Sequence, residues 1–235
     1  MSPFLGEFTG TALLITMGAG VVANVVLNKT KGNNSGWIVI TFGWAMAVFL
    51  GVYASTSMGG GGHLNPAVTI ALYAFSGFDG DLLFTYIGAQ FAGAFTGAVI
   101  CWLAYKKHFD EPGDNNLKLA IFCKAPAIRH PFYNLLTEII GTFVLLFGAL
   151  VASKSASTLG ALDALPVALL VLGIGLSLGG PTGYAINPAR DLGPRIAHFI
   201  LPIPGKRDSD WGYAWVPVIG PVIGAMLAAW VKSLM

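Results

Sequence analysis

Long apolar stretches separated by short polar ones set the pattern of this chain. A helix needs about 20 apolar residues to cross a hydrocarbon core roughly 30 Å thick. The runs here predict full spans over residues 4–27, 37–57, 82–105, 132–153, 161–179 and 212–232. Most of the charge falls between them, in Asn28 to Gly36, Lys106 to Arg129 and Pro204 to Asp210. Two more apolar stretches, Pro66 to Phe75 and Pro188 to Phe199, are too short to span. At about 1.5 Å per residue each covers roughly half a bilayer, so they read as half-helices. Each follows a glycine-rich approach that does not continue a helix, Gly59-Gly60-Gly61-Gly62 in one case and Gly179-Gly180-Pro181-Thr182-Gly183 in the other.

The chain also repeats itself. Glu7-Phe8-Thr9-Gly10-Thr11 in the first span recurs as Glu138-Ile139-Ile140-Gly141-Thr142 in the fourth, and Asn65-Pro66-Ala67 recurs as Asn187-Pro188-Ala189. Three spans per half is an odd number, so the second copy enters the membrane from the opposite face, as an inverted repeat. The predicted architecture is an all-α membrane protein with six transmembrane helices and two half-helices. It forms a single domain over 1–235, with repeats of approximately 1–105 and 131–235 joined by loop 106–130.

Composition agrees with this pattern. Of 235 residues, 55% are hydrophobic and 10% charged, against about 25% charged in a soluble domain, and the mean hydropathy is +0.70. A soluble fold is excluded on these grounds. The chain has no Lys or Arg before Lys29, so the first apolar run lacks the basic start of a signal peptide and is read as a retained span. The net charge of +2 is too small and too scattered for nucleic-acid binding. Cys101 and Cys123 fit neither a disulfide framework nor a metal site, and His108, His130 and His198 lack metal-ligand spacing. No nucleophile and base pair or cofactor motif stands out, so no catalytic residue, metal or cofactor is expected.

In each Asn-Pro-Ala triplet, Asn suits the N-cap and Pro the first helical position, so each can start a helix abruptly. Inverted symmetry brings the two starts together near mid-membrane, each with the positive end of a helix dipole and an Asn amide able to donate. A cation or hydronium ion is repelled there. The backbone leading into each half-helix cannot face lipid, where unsatisfied carbonyls cost several kcal/mol each. The carbonyls of Gly61, Gly62, His63 and Leu64, with those of Gly183, Tyr184 and Ala185, are therefore expected to line one pore wall as a ladder of acceptors.

These features resemble the major intrinsic protein family of aquaporins and glycerol facilitators over essentially the whole chain. The strings that carry the resemblance are Gly62-His63-Leu64-Asn65-Pro66-Ala67-Val68-Thr69, Asn187-Pro188-Ala189-Arg190-Asp191-Leu192-Gly193-Pro194-Arg195 and the paired Glu-x-x-Gly-Thr segments. The resemblance implies that Arg190, an intramembrane charge, is the donor at an outer constriction completed by Trp44, Gly175 and Tyr184. Gly175 leaves space where water-selective relatives usually place a histidine, and Asp191 follows the glycerol-facilitator pattern. Tyr184 departs from the phenylalanine common in glycerol facilitators. Glu7 and Glu138 are expected to accept bonds from the pore-loop backbone, with Asp191 also structural, and His63 to hold its loop. Gly88, Gly93, Gly97, Gly220 and Gly224 suit close helix crossings.

The implied function is a passive channel for glycerol and other small uncharged solutes, also water, that excludes protons and ions. Water, urea, dihydroxyacetone and protonated lactic acid remain open beside glycerol. The alternative is a coupled secondary transporter, which also uses inverted repeats and broken helices. Coupling usually needs titratable groups along the path, and Glu7 and Glu138 are the only buried carboxylates in view. The resemblance further implies a homotetramer in membrane lipid, with both termini and the loop near Lys154 cytoplasmic, and a bacterial plasma membrane as the location. The positive-inside rule alone gives the reverse orientation, because Lys29, Lys31, Lys106, Lys107, Lys118, Lys124, Arg129, Lys206 and Arg207 then lie outside. The family motifs are the more specific signal and set the expected orientation.

Overall fold

The fold is described from a computed structural model covering residues 2–152 and 162–235. Its helices are α1 (Pro3–Val26), α2 (Trp37–Ser57), α3 (Pro66–Phe75), α4 (Leu83–Ala104), α5 (Lys106–Asp110), α6 (Asn115–Phe122), α7 (Pro131–Ala152), α8 (Leu165–Leu178), α9 (Pro188–Ile200) and α10 (Val216–Ser233). Single 3₁₀ turns at Gly80–Leu82 and Trp211–Tyr213 lead into α4 and toward α10. No strand occurs among the described residues.

Five of these elements are long and apolar enough to cross a membrane; α8 supplies the sixth expected crossing, with 14 residues described. Helices α3 and α9 are the half-helices, 10 and 13 residues long. The chain is an all-α, multi-pass membrane protein. Lys154 and the expected start of the fifth span at residue 161 lie outside the described residues.

Packing in the two halves follows one scheme. Helix α1 lies against α2 and α4, and α7 against α8 and α10. Each half-helix then crosses to the other half, α3 onto α10 and α9 onto α4. Glycines permit the closest crossings: a Cβ at Gly93 would lie 2.4 Å from the Phe8 carbonyl oxygen, and one at Gly224 would lie 2.3 Å from that of Ile139. With lipid outside, no hydrophobic force drives helices together, so contact of this kind holds the bundle. Gly88 does not belong with these, because a Cβ there would meet nothing within 4 Å.

The connection over 106–130 is more ordered than its polarity implied. It folds into α5 and α6, the latter capped by the Asp114 carboxylate, which accepts from the Asn116 amide at 2.8 Å. Lys118 is buried there and donates to the carbonyls of Phe109 and Pro204, which satisfy its ammonium where no described acid pairs with it.

Candidate functional site

The two Asn-Pro-Ala starts meet in the middle of the bundle. Asn65 caps α3 by accepting from the Ala67 amide at 3.0 Å, and Asn187 caps α9 by accepting from the amides of Ala189 and Arg190 at 3.0 and 3.2 Å. Each then reaches into the opposite loop: the Asn65 amide donates to the Ile186 carbonyl at 2.8 Å, and the Asn187 amide to the Leu64 carbonyl at 2.8 Å. This reciprocal pair fixes the two helix tips against each other. A side-chain amide has two N–H groups, so each Asn retains a second donor, and both residues line a central cavity.

Two buried carboxylates shape the loops that lead to these tips. Glu7 of α1 accepts from the amides of His63 and Leu64 at 3.0 and 2.8 Å, and also from the Ser55 hydroxyl and the Gln90 amide. Glu138 of α7 accepts from the amides of Ala185 and Ile186 at 3.0 and 2.8 Å. In a trans peptide the N–H and C=O point in opposite directions. The carbonyls of Gly62, His63, Tyr184 and Ala185 share peptide planes with those bound N–H groups and so point away from the carboxylates. All four residues line the cavity. Leu64, Tyr184 and Ile186 adopt left-handed backbone, with φ of 52°, 39° and 46°, a conformation costly outside glycine and sustained by surrounding contacts.

The remaining ladder residues behave differently. The Leu64 carbonyl accepts from Asn187 and the Gly183 carbonyl from Arg190 at 3.4 Å, while Gly61 and Gly183 do not line the cavity. His63 packs in a three-ring cluster with Phe78 and Tyr86, with Nδ1 3.1 Å from the Thr69 hydroxyl, an arrangement that braces its loop.

At the other end of the cavity Arg190, Trp44 and Tyr184 come together. The Arg190 guanidinium lies 4.2 Å above the Trp44 ring and 5.7 Å from that of Tyr184, within cation–π range. Trp44 is admitted by Gly18, where a Cβ would sit 2.2 Å from the indole. The space at Gly175 is taken up by its neighbours: a Cβ there would lie 2.9 Å from Thr41 Cγ2 and 3.0 Å from Tyr184 Cζ. The glycine thus seats the Tyr184 ring. Trp37 secures the same corner from α2, donating its indole N–H to the Gly175 carbonyl at 3.0 Å and meeting Tyr184 edge-on at 5.9 Å.

Asp191 turns away from Arg190. It forms a fully buried ion pair with Arg195, one helical turn on, at 2.7 Å, and accepts from the Lys124 amide at 2.7 Å. Arg195 also donates to the carbonyls of Ser209, Asp210 and Lys124. One guanidinium therefore ties the loops around 124 and 209 to α9.

Arg195, Trp37, Gly18, Gln90 and Lys124 are the contributors that sequence reasoning missed. The i, i+4 spacing of Asp191 and Arg195 was a usable signal; the other contacts join residues far apart in the chain. Lys124 extends past Gly183 to place its ammonium 5.8 Å over the Trp44 ring. Burial, and then the Arg190 charge, push this ammonium well below the usual lysine range.

The cavity that these groups line measures about 150 Å³, well below the several hundred Å³ of a drug-sized pocket. Its walls are largely aliphatic, including Val48, Val52, Leu145 and Val171. Trp44 and Tyr184 line it too, and the buried Trp44 Nε1 and Tyr184 hydroxyl have no hydrogen-bond partner among the described residues. No cluster of residues able to hold a metal ion occurs among the described residues.

The family model of the major intrinsic protein matches residues 1–232. The chain belongs to the major intrinsic protein family. Members of this family are channels, not enzymes. This major intrinsic protein is 58% identical over 229 residues, 97% of each chain, to the "Probable glycerol uptake facilitator protein" of Thermotoga maritima. It is 52% identical over 234 residues to the glycerol uptake facilitator protein of Streptococcus pneumoniae strain R6, covering 100% of this chain and 99% of that one. Its fold matches the X-ray structure of the aquaglyceroporin from Plasmodium falciparum with a TM-score of 0.85 at 28% identity, over 98% of this chain and 94% of that one.

Proposed function

We propose that this channel conducts glycerol and similarly small uncharged solutes, with water, and excludes protons and ions. One observation carries the reading: a narrow, largely aliphatic cavity lined by the Trp44 and Tyr184 side chains and by Arg190, whose guanidinium is lightly bonded. A polyol presents hydroxyls on one side and C–H groups on the other, and so matches both surfaces. Its hydroxyls would accept from the lightly bonded Arg190 guanidinium, and the inward carbonyls of Gly62, His63, Tyr184 and Ala185 would accept from them in turn. The family relatives named for glycerol uptake agree with this choice. Uncharged lactic acid, urea and dihydroxyacetone fall in the same size class.

Proton and ion exclusion rests on the paired helix starts. The positive ends of α3 and α9 and the spare Asn65 and Asn187 donors face the same point, where a cation loses its hydration and meets like charge. The working assembly is one channel domain per chain built from inverted repeats, in a homotetramer in a bacterial plasma membrane, with both termini cytoplasmic.

Stopped-flow light scattering on proteoliposomes tests the proposal. Glycerol uptake should saturate weakly, be unaffected by proton or sodium gradients, and carry no current. Flux that follows an imposed ion gradient would instead establish a coupled transporter and sink the channel reading.

A further inference from the structure

The outer mouth brings together two basic side chains, and neither has an acid of its own. Among the described residues, the Arg190 guanidinium makes one hydrogen bond to a carbonyl beyond its ring contacts, and the Lys124 ammonium has only its contact with the Trp44 ring. The nearby acids are already committed: Asp191 to Arg195 and the Lys124 amide, Glu138 to two backbone amides, Asp210 to Arg129. Among the described residues, no carboxylate forms an ion pair with Arg190 or Lys124.

Lys124 is also held in place. Its N–H is fixed by Asp191 and its carbonyl by Arg195, and the Ala127 amide docks the same loop onto the Pro181 carbonyl at 2.9 Å. The side chain passes close over Gly183, where a Cβ would sit 2.8 Å from Lys124 Cδ. Glycine at 183 thus clears the path that brings a second basic side chain to the same indole as Arg190.

We propose that Lys124 and Arg190 form an oxyanion subsite at the outer mouth, which takes the carboxylate of a small hydroxycarboxylate and holds it in competition with glycerol. The inference rests on the outer-constriction reading above and adds an anionic ligand to it. A carboxylate bridging the two supplies the acceptors that both lack and the negative charge that favours the protonated form of Lys124, through charge-assisted hydrogen bonds, which are roughly twice as strong as neutral ones. The hydroxyls then fall toward the unpartnered Tyr184 oxygen. The anion stops there, because moving on into the narrow aliphatic stretch lined by Val48, Val52 and Val171 strips its hydration and leaves behind the two basic groups that held it.

The probe is glycerate, which has the glycerol skeleton with one end oxidised to a carboxylate. Glycerol uptake into proteoliposomes is measured at neutral pH with increasing external glycerate, and ionic strength is balanced with chloride. Wild-type uptake should fall with glycerate and not with chloride alone. Lys124→Gln and Lys124→Met, each referred to its own rate without glycerate, should raise the half-inhibitory concentration about tenfold, the loss expected for one charge-assisted hydrogen bond. Lys124→Arg should retain the inhibition. Inhibition equal in wild type and both neutral variants, inhibition by chloride to the same degree, or no inhibition of a wild type that conducts glycerol would overturn the subsite. Absence of wild-type glycerol uptake is a different result, one that sinks the function proposed above.

Discussion

Glu138 offers the sharpest separation of shape from stability. Replacing it with alanine removes the acceptor for two buried amides, those of Ala185 and Ile186. An unsatisfied buried donor costs about 1–3 kcal/mol, so roughly 2–6 kcal/mol is at stake. The same loop holds Tyr184 and Ile186 in left-handed backbone, at about 1–3 kcal/mol each. The two quantities are of similar size and opposite sense, so once the anchor is gone the loop gains as much by relaxing as it loses by staying. The expected result for Glu138→Ala is a folded protein, melting within several degrees of wild type, whose glycerol flux falls more than tenfold as the Tyr184 and Ala185 carbonyls turn out of line. Glu138→Gln keeps one carbonyl acceptor and should fall between. Stopped-flow uptake, thermal melting in detergent and amide hydrogen exchange at Ala185 and Ile186 measure the three quantities. Wild-type flux with unchanged protection of those amides in Glu138→Ala would refute the reasoning, because the carboxylate would then not be what orients the loop.

Gly18→Ala places a methyl 2.2 Å from Trp44 Cζ3, and overpacking of this kind costs about 1–3 kcal/mol. Glycerol uptake should drop about tenfold with a small change in melting temperature, and intrinsic fluorescence should report the displaced indole; unchanged uptake would remove Trp44 from the constriction. Arg195→Met breaks a fully buried pair and strands Asp191, a loss of roughly 3–5 kcal/mol. The expected readout is a large fall in melting temperature, less severe in Arg195→Met combined with Asp191→Asn.

Secondary structure in this chain was legible because it is dictated locally. A bilayer demands apolar length, and the runs that begin α1, α2, α4, α7 and α10 show it directly. The half-helices were visible because Asn, Pro and glycine act on their immediate neighbours, and the repeat because Glu-x-x-Gly-Thr and Asn-Pro-Ala each occur twice. Helices α5 and α6 escaped notice because their polar sequence forms structure by docking, with Lys118 bonded to carbonyls distant in the chain. The distribution of Gly88 and Gly93 between empty space and a tight crossing was equally invisible, since both look alike as small residues in one helix.

The sequence by itself determined that the chain lies in a membrane, where its helices start and stop, and that its two halves are related. Tertiary structure alone decided which polar groups remain unpartnered at the cavity. Arg190 and Arg195 are five residues apart on one half-helix, yet Arg195 is saturated by Asp191 and three carbonyls while Arg190 has one carbonyl, that of Gly183, and the rings of Trp44 and Tyr184. That difference depends on loops from distant parts of the chain arriving on one face of α9 and not on the other, and no local pattern encodes which face they reach.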